Sequence, residues 1–175
     1  PKIYIDGKEG TTGLQIYDRL GGRSDIGLLL IDEGKRKDTE ERRRLLNAAD
    51  LVFLCLPDAA AVEAVALIDN PETRVIDAST AHRTAPGWDY GFAELSPARR
   101  EAIACSKRVA NPGSHASGFI SSVYPLVQGG IVPADFMFAC SSLTGYTGGG
   151  KKLIAEYEAP GRDPRHVSHR IYGLA

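Results

Sequence analysis

The sequence predicts an α/β fold built on a parallel sheet. Strand-like and helix-like segments alternate through the first 77 residues, and the strand-like ones are largely unbroken apolar runs. Such runs, alternating with helices, mark strands of a parallel sheet covered on both faces. Glycines also sit where the first strand passes into the first helix and where that helix ends.

Lys2 to Asp6 reads as the first strand, Gly7 to Gly13 as a turn, and Leu14 to Leu20 as a helix closed by Gly21-Gly22. Gly27 to Ile31 is a second buried strand. Asp38 to Ala49 is a charged helix whose Glu40 and Arg44, four apart, can pair, though a solvated face is the plainer reading. Leu51 to Leu56 is a third strand, Asp58 to Ile68 an alanine-rich helix, and Arg74 to Asp77 a fourth strand. Residues 78–97 are irregular, with the length of a functional loop. Val109-Ala110 leads into an Asn111-Pro112-Gly113 turn, and the apolar-rich run Phe119 to Val127 reads as a helix. Phe136 to Ser142 is expected to be a strand of a second unit, and Asp163 to His169 a polar loop. Ile171 to Ala175 reads as the start of a further element, so the chain is expected to stop inside a domain.

A chain of 175 residues, 43% apolar and 25% charged, suits one domain or one domain and part of another. The net charge of −1 gives no basic excess, so no nucleic-acid partner is expected. Cys55, Cys105 and Cys140 are odd in number, far apart and without zinc spacing, which fits reduced thiols in the cytoplasm. No metal site is expected. His166 and His169 lack a third ligand and read as surface residues. The start does not resemble a signal peptide, and no run approaches the roughly 18 apolar residues of a membrane helix.

Gly7, Gly10 and Gly13 form G-x-x-G-x-x-G between a strand and a helix. Gly10 and Gly13 let the backbone approach a pyrophosphate at the helix N-terminus, the arrangement of a Rossmann-type dinucleotide site. Asp32-Glu33 after the second strand would suit the ribose hydroxyl of NAD. The following Lys35-Arg36-Lys37 would suit the 2′-phosphate of NADP, and three consecutive cations favour NADP over a merely solvated basic loop. Gly145 to Lys152 nearly matches a P-loop, but Lys152 replaces the magnesium-binding hydroxyl. A glycine loop lining cofactor or substrate fits better than a triphosphatase.

Asp77 to Arg83 follows the fourth strand, where open parallel sheets bind ligands. Arg83 could fork onto a carboxylate or phosphate, or make a structural ion pair. Ser114 stands at the mouth of a helix after a Pro-Gly turn. A thiol there would ionise readily in the field of the helix end, whereas a serine hydroxyl gains much less. The G-x-S-x-G elbow of hydrolases is absent around it, and adjacent Ser114 and His115 do not make a dyad.

Taken together these motifs resemble the N-acetyl-γ-glutamyl-phosphate reductase family in its shorter bacterial form. The matching pieces are Gly7 to Leu14, Lys35 to Asp38, Cys55 to Asp58, Asp77 to Arg83, Tyr90 to Leu95, Asn111 to Gly118 and Gly145 to Lys152, in order along nearly the whole chain. Aspartate-semialdehyde dehydrogenase looks like a more distant relative. The resemblance implies a cytoplasmic, NADP-dependent reduction of a small-molecule acyl phosphate in arginine biosynthesis, through a cysteine thioester with a histidine as acid/base. It places Ser114 at the nucleophile position and Gly7, Gly10, Thr11, Thr12 and Gly13 at the pyrophosphate. Lys35 and Arg36 would meet the 2′-phosphate, and Leu56 and Pro57 the path from adenosine to nicotinamide. Arg83, Asn111 and His115 would lie on the substrate side. It implies a homo-oligomer at full length. It also implies two domains, residues 1–110 binding NADP and residues 111–175 opening an α+β substrate domain cut short before the base histidine.

Serine at the nucleophile position implies a nearly inactive form, arising by engineering or as a natural variant. A non-catalytic NADP-binding protein, or a dehydrogenase for a related acyl phosphate such as aspartyl phosphate, remain alternatives.

Overall fold

The computed structural model of the protein describes residues 1–8 and 10–168. The chain forms two compact units, Pro1–Cys140 and Ser141–Ala175. In the first, β1 (Lys2–Asp6), α1 (Thr11–Gly21), β2 (Gly27–Leu29), α2 (Thr39–Ala48), β3 (Leu51–Leu54), α3 (Asp58–Ala66) and β4 (Arg74–Asp77) follow one another. Then come β5 (Asp89–Tyr90), α4 (Pro97–Cys105), β6 (Arg108–Ala110) and α5 (Ser114–Gln128). The second unit contains α6 (Gly150–Glu158).

The six strands form one sheet in the order β2-β1-β3-β4-β6-β5, every pair parallel. The expected α/β class and its parallel sheet are what the chain adopts. The order reverses at β1, which sends the chain to β2 on one side and has β3 on the other. Open parallel sheets bind ligands outside the carboxyl ends of the strands at such a point. Asp6, Leu54, Asp77 and Ala110 are in register across four neighbouring strands. The loops that follow them therefore leave the sheet along one line.

The core is Tyr4, Val52, Leu54 and Val75 from the strands, closed by Leu45, Leu46 and Ala49 around α2 and by Ala61 and Ala64 of α3. Asn47 locks α2 to the connection after α3. Its amide donates to the carbonyls of Arg43 and Leu67, and its oxygen accepts from the N–H groups of Asp69 and Asn70.

Several expected boundaries shift. α1 begins at Thr11 instead of Leu14, because Gly10 already serves as its N-cap. α5 begins at Ser114 instead of Phe119, so the polar stretch Ser114 to Gly118 is its first turn and more. The irregular region contains β5, and α4 follows it unanticipated; Ser96 caps α4 through the Arg99 N–H and Pro97 opens it, a start signal present in the sequence. The strand expected at Phe136 to Ser142 does not form, since no described residue pairs with it and an unpaired strand leaves its amides unsatisfied. Phe138 instead meets Phe119 and Phe136 edge-on. His169 and the segment Ile171 to Ala175 lie outside the described residues. Among the described residues no helix is long and apolar enough to cross a membrane, and no cluster of metal-ligating side chains occurs.

Candidate dinucleotide site and the Ser114 helix

The glycine loop is shaped by backbone crowding. Gly7 has φ +86°, and a β-carbon on it would lie 2.3 Å from the Cys55 carbonyl oxygen. A β-carbon on Gly13 would lie 2.4 Å from the carbonyl oxygen of Gly7. The loop thus folds tightly on the end of β3 and delivers α1 with no side chain on its N-cap. The same holds for α3 behind Pro57 and for α5 behind Gly113, neither of which has a side-chain cap. By contrast Asp38 caps α2 and Ser96 caps α4. Three helix ends around the strand termini therefore keep their first-turn N–H groups turned toward whatever lies there.

Two hollows lie along this edge. A small one of about 160 Å³ is bounded by Gly10, Thr11 and Thr12, by Cys55 and Leu56 after β3, and by Ala78 after β4. A larger one of about 870 Å³ lies over β1 and β2, with Gly7, Tyr17, Ile31, Arg36, Lys37 and Leu56 in its wall. Loop glycines, a helix N-terminus, an apolar wall and a basic corner are the donor set a dinucleotide with a 2′-phosphate would need. Arg36 is among the residues lining that corner. Lys35 is not among the lining residues, whereas Lys37 is.

The larger hollow has a charged floor. Arg42 of α2 reaches Asp6 at the end of β1 with Nη2 2.7 Å and Nε 3.2 Å from Oδ2. The Tyr4 hydroxyl donates to Asp6 Oδ1 at 3.4 Å, and burial and the Asp6 charge push it well above the ordinary tyrosine range. On the rim, the Lys8 ammonium stands 3.6 Å from the centre of the Tyr17 ring. Nothing in the sequence alone marks Tyr17 or Arg42, since their roles arise from which helix faces the hollow.

Cys55 sits between the two acidic strand ends. Burial, with Asp77 and Asp6 nearby, pushes its thiol up to about 11. It is a structural thiol in this setting, with little thiolate at neutral pH.

Farther along the edge, Asp77 at the end of β4 is fully buried and accepts from the Ser79 N–H and hydroxyl and from His82 Nδ1. Arg83 donates from Nε to the Asn111 carbonyl at 3.2 Å. Its guanidinium lies over Gly113, where a β-carbon would fall 2.6 Å from Nη1. Ser114 is the exposed first residue of α5, with His115 half-buried behind it. The structure thus brings Arg83, Asn111 and Ser114 together around one turn.

Residues 7–104 match the family model described as semialdehyde dehydrogenase, NAD binding domain. The chain belongs to that family. The match takes in the Gly7–Gly13 loop, Arg36 and Lys37, Leu56-Pro57 and Arg83, and ends before Asn111. Over 174 residues the chain is 50% identical to an N-acetyl-gamma-glutamyl-phosphate reductase of Pseudomonas putida, covering 99% of this chain and 55% of that protein. A reductase of the same name from Burkholderia orbicola is 47% identical over 175 residues, all of this chain and 56% of the relative. The one from Chelativorans is 55% identical over 162 residues, or 93% of this chain and 52% of the relative. The chain thus spans about half the length of these relatives. The family fold is also seen in aspartate semialdehyde dehydrogenase from Francisella tularensis, with a TM-score of 0.62 at 14% identity over 89% of this chain and 48% of that one.

Proposed function

We propose that this chain carries the cofactor site and nucleophile position of an NADPH-dependent reductase. Its substrate is N-acetyl-γ-glutamyl phosphate, and the products are N-acetylglutamate semialdehyde and phosphate, a cytoplasmic step of arginine biosynthesis. The observation that carries the reading is the single line of loops at the sheet's carboxyl edge. The glycine loop lies at one end of that line and the Ser114 turn at the other, about 14 Å away at the usual spacing of neighbouring strands. An extended dinucleotide laid along it would end beside Ser114. The relatives of the same name support the substrate assignment.

In this reading Gly7, Gly10, Thr11, Thr12 and Gly13 hold the pyrophosphate, and Arg36, with Lys37 beside it, selects NADP. Leu56 and Pro57 border the path toward the nicotinamide. The bound cofactor supplies hydride to the acyl group. The side chain at position 114 attacks the acyl carbon, the acyl–oxygen bond breaks and phosphate leaves. Arg83 would bind that leaving phosphate, with Asn111 and His115 shaping the turn around it. A thiolate suits this attack, because it ionises near neutral pH and leaves a thioester that accepts hydride well. A serine hydroxyl does neither, so the chain as it stands turns over very slowly. We place the cofactor domain in residues 1–110 and the start of the substrate domain in residues 111–175. We also take the whole protein to be a homo-oligomer.

The test is semialdehyde-dependent reduction of NADP⁺, with and without phosphate, in the full-length protein carrying Ser114 and in its Ser114→Cys variant. Phosphate-dependent turnover in the cysteine form alone supports the reductase. No turnover in either form, with NADP⁺ still bound, would favour a non-catalytic NADP-binding protein, which Ser114 by itself permits. Turnover with aspartate semialdehyde instead would reassign the substrate.

A further inference from the structure

Arg83 leaves a loop pinned at two points on its way from β4. Thr80 is tied to Asp58 at the start of α3, its N–H donating to Oδ1 at 2.8 Å and its hydroxyl to Oδ2. Two residues on, His82 is held along its edge and on its face. Its Nδ1 lies 2.6 Å from Asp77 Oδ2, and its ring stacks on Trp88 with centroids 4.1 Å apart and planes 15° apart. The short contact to one carboxylate oxygen and the stacked indole together fix the orientation of the imidazole ring. Trp88 in turn packs against the core cluster, and His82 is 8% exposed.

We propose that His82, held by Asp77 and Trp88, is a positioning residue that aims Arg83 across the Gly113 turn toward Ser114. This rests on the reading of Arg83 as the substrate-side cation. Four features support it. Arg83 directly follows His82 in the chain, so the ring's orientation sets where the Arg83 backbone departs. The guanidinium then joins the loop after β4 to the turn after β6 through the Asn111 carbonyl. The space it fills over Gly113 exists only because residue 113 lacks a β-carbon. A flexible arginine loses rotamer freedom on taking one place, and a loop fixed beforehand lowers that cost at the moment of anion binding.

The chain itself is labelled with ¹⁵N at arginine, and the Arg83 Nε–H resonance is assigned by its loss in Arg83→Lys. Relaxation of that resonance should give an order parameter above about 0.6 in the parent chain. His82→Phe keeps a ring on Trp88 and loses the donor to Asp77, and should drop Arg83 below that value. His82→Asn, whose amide nitrogen takes the place of Nδ1, should restore it. Titration with inorganic phosphate, read on the same resonance, should be about tenfold weaker in His82→Phe and near the parent in His82→Asn. NADP⁺ affinity should be unchanged in both.

Equal order of Arg83 in parent and His82→Phe overturns the inference. If order falls as expected but phosphate never perturbs Arg83, the positioning stands and the substrate-side reading of Arg83 fails. Thr80→Val, at an exposed position, gives the same readout should His82→Phe not fold; an unchanged Arg83 there also counts against the proposal.

Discussion

A β-carbon placed on Gly13 would stand 2.4 Å from the carbonyl oxygen of Gly7, with Lys8 backbone atoms at 2.7 and 2.9 Å. The first turn of α1 is therefore pressed on the loop that precedes it. The obstacle is backbone, which cannot swing aside as a side chain can.

Gly13→Ala should accordingly open the loop. The cost is expected near 2 kcal/mol of stability, roughly the range for an added methylene in a filled space. NADP⁺ affinity should fall at least tenfold, because the N–H groups of α1 no longer converge. Thermal unfolding and calorimetric titration of the same sample read both effects. A stable variant that binds NADP⁺ normally would dissociate this loop from the cofactor.

The basic corner yields a sharper discrimination. Lys37 lines the larger hollow and Lys35 does not. Lys37→Ala should weaken NADP⁺ about tenfold, the loss of one charge-assisted contact to a phosphate, and leave NAD⁺ affinity unchanged. Lys35→Ala should move neither by more than about twofold. The reverse ranking would return the 2′-phosphate to Lys35.

Beneath that hollow, Arg42 and Asp6 are a nearly buried pair, with side chains 13% and 7% exposed. Arg42→Met should cost about 3 kcal/mol, because it leaves a carboxylate buried without its partner. Urea denaturation measures this; a loss below about 1 kcal/mol would mean that the pair is not held as described.

The three cysteines should separate by reactivity. Cys55, pushed up to about 11, carries roughly one thiolate in a thousand at pH 8. Cys105 and Cys140 are exposed. A disulfide reagent should modify two thiols quickly at pH 8 and the third slowly in the folded chain. The slow rate should rise about tenfold per pH unit up to the neighbourhood of 11, because only the thiolate reacts. Three equally fast thiols at pH 8 would mean Cys55 is not held as described.

Fold class and the glycine loop were legible in the sequence for a physical reason. Apolar runs such as Leu51 to Leu54, and Val75-Ile76 within β4, are best satisfied inside a sheet covered on both faces. Glycine at 7, 10 and 13 announces backbone crowding whatever lies around it. Local rules likewise mark the cap of α2 at Asp38 and the opening of α4 at Ser96-Pro97. What local rules cannot supply is partnership. The run from Phe136 has strand composition but gains no ladder, and Asp89–Tyr90 is a strand only because β6 lies beside it. That Lys37 lines the hollow while Lys35 does not depends on the turn Glu33–Lys35. Neighbours in the chain suffice to establish the parallel α/β architecture and the reactive setting of Ser114, because periodicity and helix ends are local properties. The meeting of Asp77, His82, Arg83 and Gly113 is a product of folding in three dimensions, because those contacts join the ends of two strands more than 25 residues apart, as the 28-residue separation of Arg83 and Asn111 shows.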